Sequence, residues 1–116
     1  DLADTVDENY IAMGHGFGMR SICDELWAAA GFTPRIAFEG QDTHTVRGLV
    51  GAGLGISILP RIRAHGGDGG TVDIGLTQPA ARRRIGMVWN PRADSPRQVA
   101  AFRSMVQRSG RTLVIR

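Results

Sequence analysis

Lysine is absent from this chain: all 14 basic residues among its 116 are arginine. Lysine-free, arginine- and alanine-rich usage points to a high-GC genome. Cysteine is nearly absent too. The single Cys23 excludes an internal disulfide and a cysteine-built zinc cage, and it fits a reducing cytosol. The three histidines, His15, His44 and His65, are scattered, with no pair at metal-ligand spacing on one helix, so neither a metal nor a cofactor is expected. No apolar run approaches the roughly 18 residues that span a bilayer, and no basic-then-apolar leader is present. The chain starts at Asp1 rather than at a methionine, which reads as a piece of a longer polypeptide.

What is present suits one compact domain. Apolar residues make up 42% and charged residues only 22%, too few charges for a disordered chain. The charge is uneven: four acids lie in the first eight residues, and nine arginines against one acid, Asp94, lie from Arg82 onward. A pI near 10.4 invites a nucleic-acid reading. The basic excess, however, is spread along a strand and a helix without interleaved aromatics, so composition is the simpler explanation.

Asn9–Met13 is a short apolar run ended by Gly14, and it predicts a buried strand. Met19, Ile22, Leu26 and Ala29 then recur at helical spacing, widened by Trp27 and Ala30, so a helix is expected from about Phe17 to Ala30. Gly31 stands where a C-cap glycine belongs, and Pro34 prevents resumption. Arg35–Glu39 alternates as a strand does. Asp42 is a good N-cap for a second helix carrying Val46, Leu49, Val50 and Ala52. Ile56–Leu59 predicts a third strand, Thr71–Leu76 a fourth and Arg84–Trp89 a fifth, with a glycine-rich loop over 63–70. Ser95-Pro96 predicts a helix start, Val99, Phe102 and Val106 its inner face, and Gly110 its end. The tail 112–115 reads as a short strand or a loose end. This order predicts an α/β, Rossmann-like, mostly parallel sheet flanked by helices with right-handed crossovers.

Arg47–Pro60, RGLVGAGLGISILP, raises the question of a phosphate loop. Its glycines lie at the end of a helix and before a strand. That end presents carbonyls, the wrong dipole sign for an anion, and a G-x-G-x-x-G would need glycine where Ile56 stands. Gly51, Gly53 and Gly55 are instead expected to end the helix in a left-handed turn and to allow close packing on the sheet. Gly14-His15-Gly16-Phe17-Gly18 has the right polarity, between a strand and a helix, but Met19 breaks the dinucleotide spacing. It reads either as a helix start able to hold a carboxylate or as a tight turn with solvated amides.

The runs Ala30–Glu39, AGFTPRIAFE, and Val46–Pro60, VRGLVGAGLGISILP, closely resemble the effector-binding domain of LysR-type transcriptional regulators. The opening Asp1–Asp4, Ile11, the run Arg84–Trp89 and the helix near Ser95–Gln107 are similar to the flanking parts of that domain, so the resemblance covers nearly the whole chain. It implies one subdomain of a type 2 periplasmic-binding-protein-like fold, with a small effector held between two subdomains. Residues 1–92 would be the second subdomain, and 93–116 a C-terminal helix and tail returning to the first. Most of the first subdomain and the N-terminal winged helix-turn-helix, through which such a regulator contacts DNA, would lie outside this chain. A transport-type solute-binding protein or an enzyme on the same fold is the alternative, and a nucleic-acid module using the C-terminal arginines is a third.

Ligands in open parallel sheets collect at the carboxyl ends of the strands. There the candidate ligand contacts are His15, Gly16, Phe17 and Gly18, followed by Gln41, Asp42 and Thr43, with Pro60–Arg61 after the third strand. Two helix N-termini aimed at this rim suit an anionic metabolite, although Glu39 and Asp42 would repel one. Asp42 also reads simply as an N-cap, Phe17 as core and His44 as solvated. Trp27, Ile36 and Phe38 offer apolar area beside a strand edge, and the resemblance implies pairing of regulatory domains through such a surface, giving a dimer or tetramer. Catalysis has little support. Ser57 sits outside any G-x-S-x-G elbow, Cys23 reads as a small buried hydrophobe, and nothing places a substrate between Glu39 and Asp42.

Overall fold

The computed structural model describes residues 1–61, 70–92 and 96–110. The loop expected at 63–70 falls almost wholly outside them, as do Ser95 and the tail at 112–115. The described chain divides into two compact units, Asp1–Arg84 and Ile85–Arg116.

The first unit is built on strand β1 (Asn9–Met13), helix α1 (Gly18–Ala30), strand β2 (Arg35–Gly40) and helix α2 (Thr43–Gly51). The strands pair in parallel, Asn9 opposite Arg35 and Met13 opposite Gly40, with one irregularity between Tyr10 and Ile11. On the other side of β1, Ile56 forms a parallel bridge with Tyr10. The Ile11 amide donates to the Ile56 carbonyl at 2.8 Å, and the Ile56 amide donates to the Asn9 carbonyl at 2.9 Å. β1 is therefore flanked on both sides, and among the described residues β2 is an edge. The third strand contracts to this bridge: 57–59 carry no ladder.

Strand alternation sends successive β1 residues to opposite faces. Tyr10 and Ala12 join Leu2, Cys23, Leu26 and Trp27 in one buried cluster under α1. Ile11 and Met13 join Val46 in a second under α2. A strand buried on both faces must be apolar throughout, as Tyr-Ile-Ala-Met is. Tyr10 meets Trp27 edge-on, ring centroids 5.1 Å apart at 79°, a geometry worth about 0.5–1.5 kcal/mol beyond area burial. Its hydroxyl needs a partner at that depth and finds one in Thr5 Oγ1. Thr5 sits on a short 3-10 turn, Leu2–Thr5, that the sequence pattern did not reveal.

Both caps follow the sequence. Gly31 closes α1 at φ 83°, its amide donating to the Ala28 carbonyl at 3.1 Å while the Phe32 amide reaches Trp27 at 3.2 Å. The Asp42 carboxylate accepts from the Thr45 amide at 2.9 Å and the Thr45 hydroxyl at 2.8 Å. At the far end of α2, Gly51 is still helical, the last residue of the helix rather than part of the left-handed turn. Gly53 at φ 78° and Gly55 at φ 156° take positive φ. A Cβ on Gly55 would run into the Asn9 carbonyl, so this glycine lets the chain reach β1.

The expected fourth and fifth strands do not form. Val72 and Ile74 alternate as strand residues do, yet they are 84% and 85% exposed, and Ile85 and Val88 in the second run are 74% and 94% exposed. A ladder needs a neighbouring strand, and none of the described residues supplies one to 71–76 or 84–89.

In the second unit, helix α3 (Arg97–Ser109) follows Pro96, which occupies the N-cap rather than the first helical position. Arg103 lies over the Trp89 ring, 5.7 Å from its centroid. Of the face expected to be inner, Val99 and Phe102 are exposed and Val106 is half-buried, and α3 has no buried residue. Among the described residues no helix is long and apolar enough to cross a membrane.

Candidate functional site

Strand β1 runs into Gly14–Gly18 and β2 into Gln41–Thr43, and the parallel pairing puts both loops on one rim. They touch. The Gly14 amide donates to the Gly40 carbonyl at 3.1 Å, and the Gln41 side-chain nitrogen lies 3.4 Å from where a Cβ on Gly14 would stand. The two groups of expected ligand contacts, His15, Gly16, Phe17 and Gly18 with Gln41, Asp42 and Thr43, are thus neighbours.

The two helix starts differ chemically. Phe17 is the N-cap of α1 in extended conformation, and no side chain among the described residues caps that helix. Its first amides keep the positive end of the helix dipole open to an outside acceptor. Gly16 (φ 94°) and Gly18 have open space where side chains would be, while Phe17 is partly exposed rather than core. The third amide of α1, that of Arg20, donates to the Phe17 carbonyl at 2.9 Å, whereas its counterpart in α2, that of Thr45, is taken by the Asp42 carboxylate, which brings a negative charge to that helix start. Hydrogen bonds from the Thr45 amide and hydroxyl hold that carboxyl below its ordinary pKa, so it stays charged at the rim. An anion therefore suits the start of α1, with the Gln41 amide beside it, and not the start of α2. Thr43 begins α2 and His44 is exposed on its first turn.

Two arginines that sequence reasoning passed over organise this rim. Arg20, only 7% exposed, donates through Nη1 to the Met13 carbonyl at 3.2 Å and to Glu39 Oε1 at 2.6 Å, and through Nε to Asp24 Oδ1 at 2.9 Å. Burial works to lower its pKa, but the hydrogen bonds and charges of Asp24 and Glu39 outweigh it and raise the value above the ordinary one. Glu39 is thereby paired, which removes much of the repulsion expected from it. The i,i+4 spacing of Arg20 and Asp24 was a signal in the sequence. The Glu39 partner, 19 residues away, was not. Arg47 on α2 holds the segment after Ile56 through Nη2 to the Pro60 carbonyl at 3.0 Å and pairs with Asp73 through Nη1 at 3.0 Å. Arg61 is exposed.

The apolar surface expected beside β2 needs a correction. Trp27 is 2% exposed and belongs to the core, its ring held edge-on by Tyr10. Ile36 is half-buried against the same cluster, and Phe38, 44% exposed, remains on the open edge. Cys23 is buried, and loss of solvation together with the Asp24 charge pushes its thiol up to about 11, far from the depressed pKa of a reactive thiol. Among the described residues no three His, Cys, Asp or Glu side chains gather as a metal site would require. A shallow groove between α1 (Ile22, Leu26, Ala29) and Pro79–Ala80 lies apart from the rim loops.

Comparison with known proteins agrees with this geometry. The family model for the LysR substrate binding domain matches residues 1–111. The HTH-type transcriptional regulator YybE of Bacillus subtilis is 38% identical over 89 residues, 76% of this chain and 30% of its own length. The transcriptional dual regulator GltC of the same organism is 31% identical over 88 residues, 75% of this chain and 29% of its own. The chain thus spans about 30% of the length of these curated relatives. Among solved structures, the effector binding domain of QuiR in complex with shikimate superposes with a TM-score of 0.52 at 36% identity, over 54% of this chain and 30% of that one. A two-faced parallel α/β unit, a rim of paired loops and a family match over nearly every residue converge: the chain belongs to the LysR substrate binding domain family.

Proposed function

We propose that this chain is the effector-sensing part of a LysR-type transcription regulator and that its ligand is a small organic anion. The observation that carries the reading is the rim itself. An α1 N-terminus without a side-chain cap stands beside Gln41, with the nearby Glu39 neutralised by Arg20. Gly16 and Gly18 would meet the carboxylate through backbone amides, the Phe17 ring would supply an apolar wall, His15 and Gln41 would read its polar substituents, and Thr43 would border it. Shikimate, named as the ligand of the QuiR domain, is a small organic acid and fits that class.

In this reading residues 1–92 form the second subdomain and 93–116 return to the first, which closes the other side of the cleft. The exposed apolar residues of 71–76, 85–89 and α3 would be covered in the intact regulator. DNA would be contacted by a winged helix-turn-helix in the remainder of the protein, in the cytoplasm, and Ile36 and Phe38 on the β2 edge would lie at a dimer interface. Effector binding controls DNA binding only if the ligand prefers one arrangement of the subdomains over the other.

The test is a thermal-shift and operator-binding titration of the intact regulator against small carboxylates, shikimate included. A stabilising acid whose effect vanishes in Gly16→Val, with operator affinity retained, supports the site. A stabilising acid to which Gly16→Val responds normally refutes it.

A further inference from the structure

Both rim loops hang from strand ends that meet one buried cation. Met13 is the last residue of β1, immediately before Gly14, and Glu39 is the penultimate residue of β2, next to Gly40 and Gln41. Arg20 Nη1 binds both, at 3.2 and 2.6 Å, and Arg20 itself stands on the first turn of α1, directly after the loop that it anchors. Three segments of the rim therefore converge on one guanidinium: the end of β1, the end of β2 and the start of α1. Asp24 fixes the same group from the next turn of the helix at 2.9 Å.

We infer that Arg20 is a positioning residue for effector recognition, holding the Gly14–Gly18 loop and the Gln41–Thr43 loop at a fixed separation without touching the ligand. Its fork geometry suits the task, because a planar guanidinium directs several N–H groups at once and stays charged, whereas lysine offers a point charge on a flexible stem. The pairing also decides specificity. With Glu39 occupied by Arg20, the rim tolerates an anion; with Glu39 unpaired, an uncompensated negative charge would stand two residues before Gln41 and oppose one. The functional consequence rests on the proposed effector site, but the tether itself is a property of these residues alone.

Amide hydrogen exchange of the intact regulator, read without any ligand, separates the two. Glu39→Ala is expected to speed exchange of the hydrogen-bonded rim amides, Gly14, Phe17 and Arg20 at one loop and Thr45 and Val46, which bond to Asp42, at the other, by about tenfold or more, as loss of a charged hydrogen bond predicts. The Gly14 amide bonded to the Gly40 carbonyl is the most direct reporter. Glu39→Gln keeps an oxygen acceptor in place and should restore most of the protection. Asp24→Asn leaves both strand tethers and should leave the Thr45 and Val46 amides, which report on the Gln41–Thr43 loop, unchanged. Unaltered exchange in Glu39→Ala overturns the inference, and so does a uniform rise that includes the Tyr10–Met13 core, which would mark a merely structural role. If the effector binds elsewhere, the carboxylate titration fails while this exchange pattern persists, so the two failures are distinguishable.

Discussion

Replacing Gly55 with alanine adds one carbon, and the site has no room for it. The residue sits at φ 156°, a region open almost only to glycine, and the new Cβ would collide with the Asn9 carbonyl. Backbone strain of this kind costs about 1–3 kcal/mol. Relief means retreat of the chain from β1, which weakens the two hydrogen bonds that Ile56 exchanges with Asn9 and Ile11, each worth about 0.5–1.5 kcal/mol. The expected loss is about 2–4 kcal/mol, a large share of a typical domain's stability. Two neighbours calibrate it. Gly53→Ala meets no atom within 4 Å at φ 78°, so only the left-handed conformation counts, at about 1–2 kcal/mol. Gly48 lies inside α2 with open space around it, so Gly48→Ala should stabilise the helix by about 0.5–1 kcal/mol. Urea denaturation of the protein measures all three. If Gly55→Ala costs no more than Gly53→Ala, the close approach to β1 does not carry the energy assigned to it.

Trp27→Ala should destabilise the domain by about 3–5 kcal/mol, as deletion of a buried aromatic does; a dimer that weakens with unchanged domain stability would return Trp27 to the surface. The Cys23 thiol should resist alkylation at pH 8 in the folded protein and react in urea, and rapid native labelling would contradict its burial. Because its pKa is raised from 9.0 to about 11, the unfolded thiol ionises first, so this contribution to stability is intact below pH 9 and lost as pH climbs toward 11. Cys23→Ala should flatten that part of the pH profile, and an identical slope in both proteins would exclude Cys23 as its source. Asp42→Ala should shorten α2 and cost about 0.5–2 kcal/mol by thermal melting, with Asp42→Asn costing less; equal losses would point to charge rather than capping.

How far the sequence carried this reading depends on the range of the interactions involved. β1, α1, β2 and α2 were legible because their signals are local: a double-faced apolar strand, a stripe at helical spacing, Gly31 and Asp42 at the caps. The rim was legible through topology, since parallel strands bring their carboxyl ends together. Long-range chemistry was hidden. Nothing in the spacing paired Arg20 with Glu39, and nothing distinguished Trp27 as core from Trp27 as surface, because a helix stripe shows which residues share a face but not how deeply each sinks. The strand-like patterns at 71–76 and 84–89 failed for a related reason: alternation records a capacity to pair, whereas a strand exists only where a second backbone answers it.

The bridge from Ile56 to Tyr10 bears on how the protein is made. β1 sits in the middle of the sheet, yet the segment that completes its second side emerges from the ribosome more than 40 residues after it. A nascent chain stopped short of Gly55 would display the Asn9 and Ile11 backbone groups unanswered and invite another chain to bind there. Translation through the glycine-rich run after α2 thus marks the moment when this α/β unit becomes safe from mispairing.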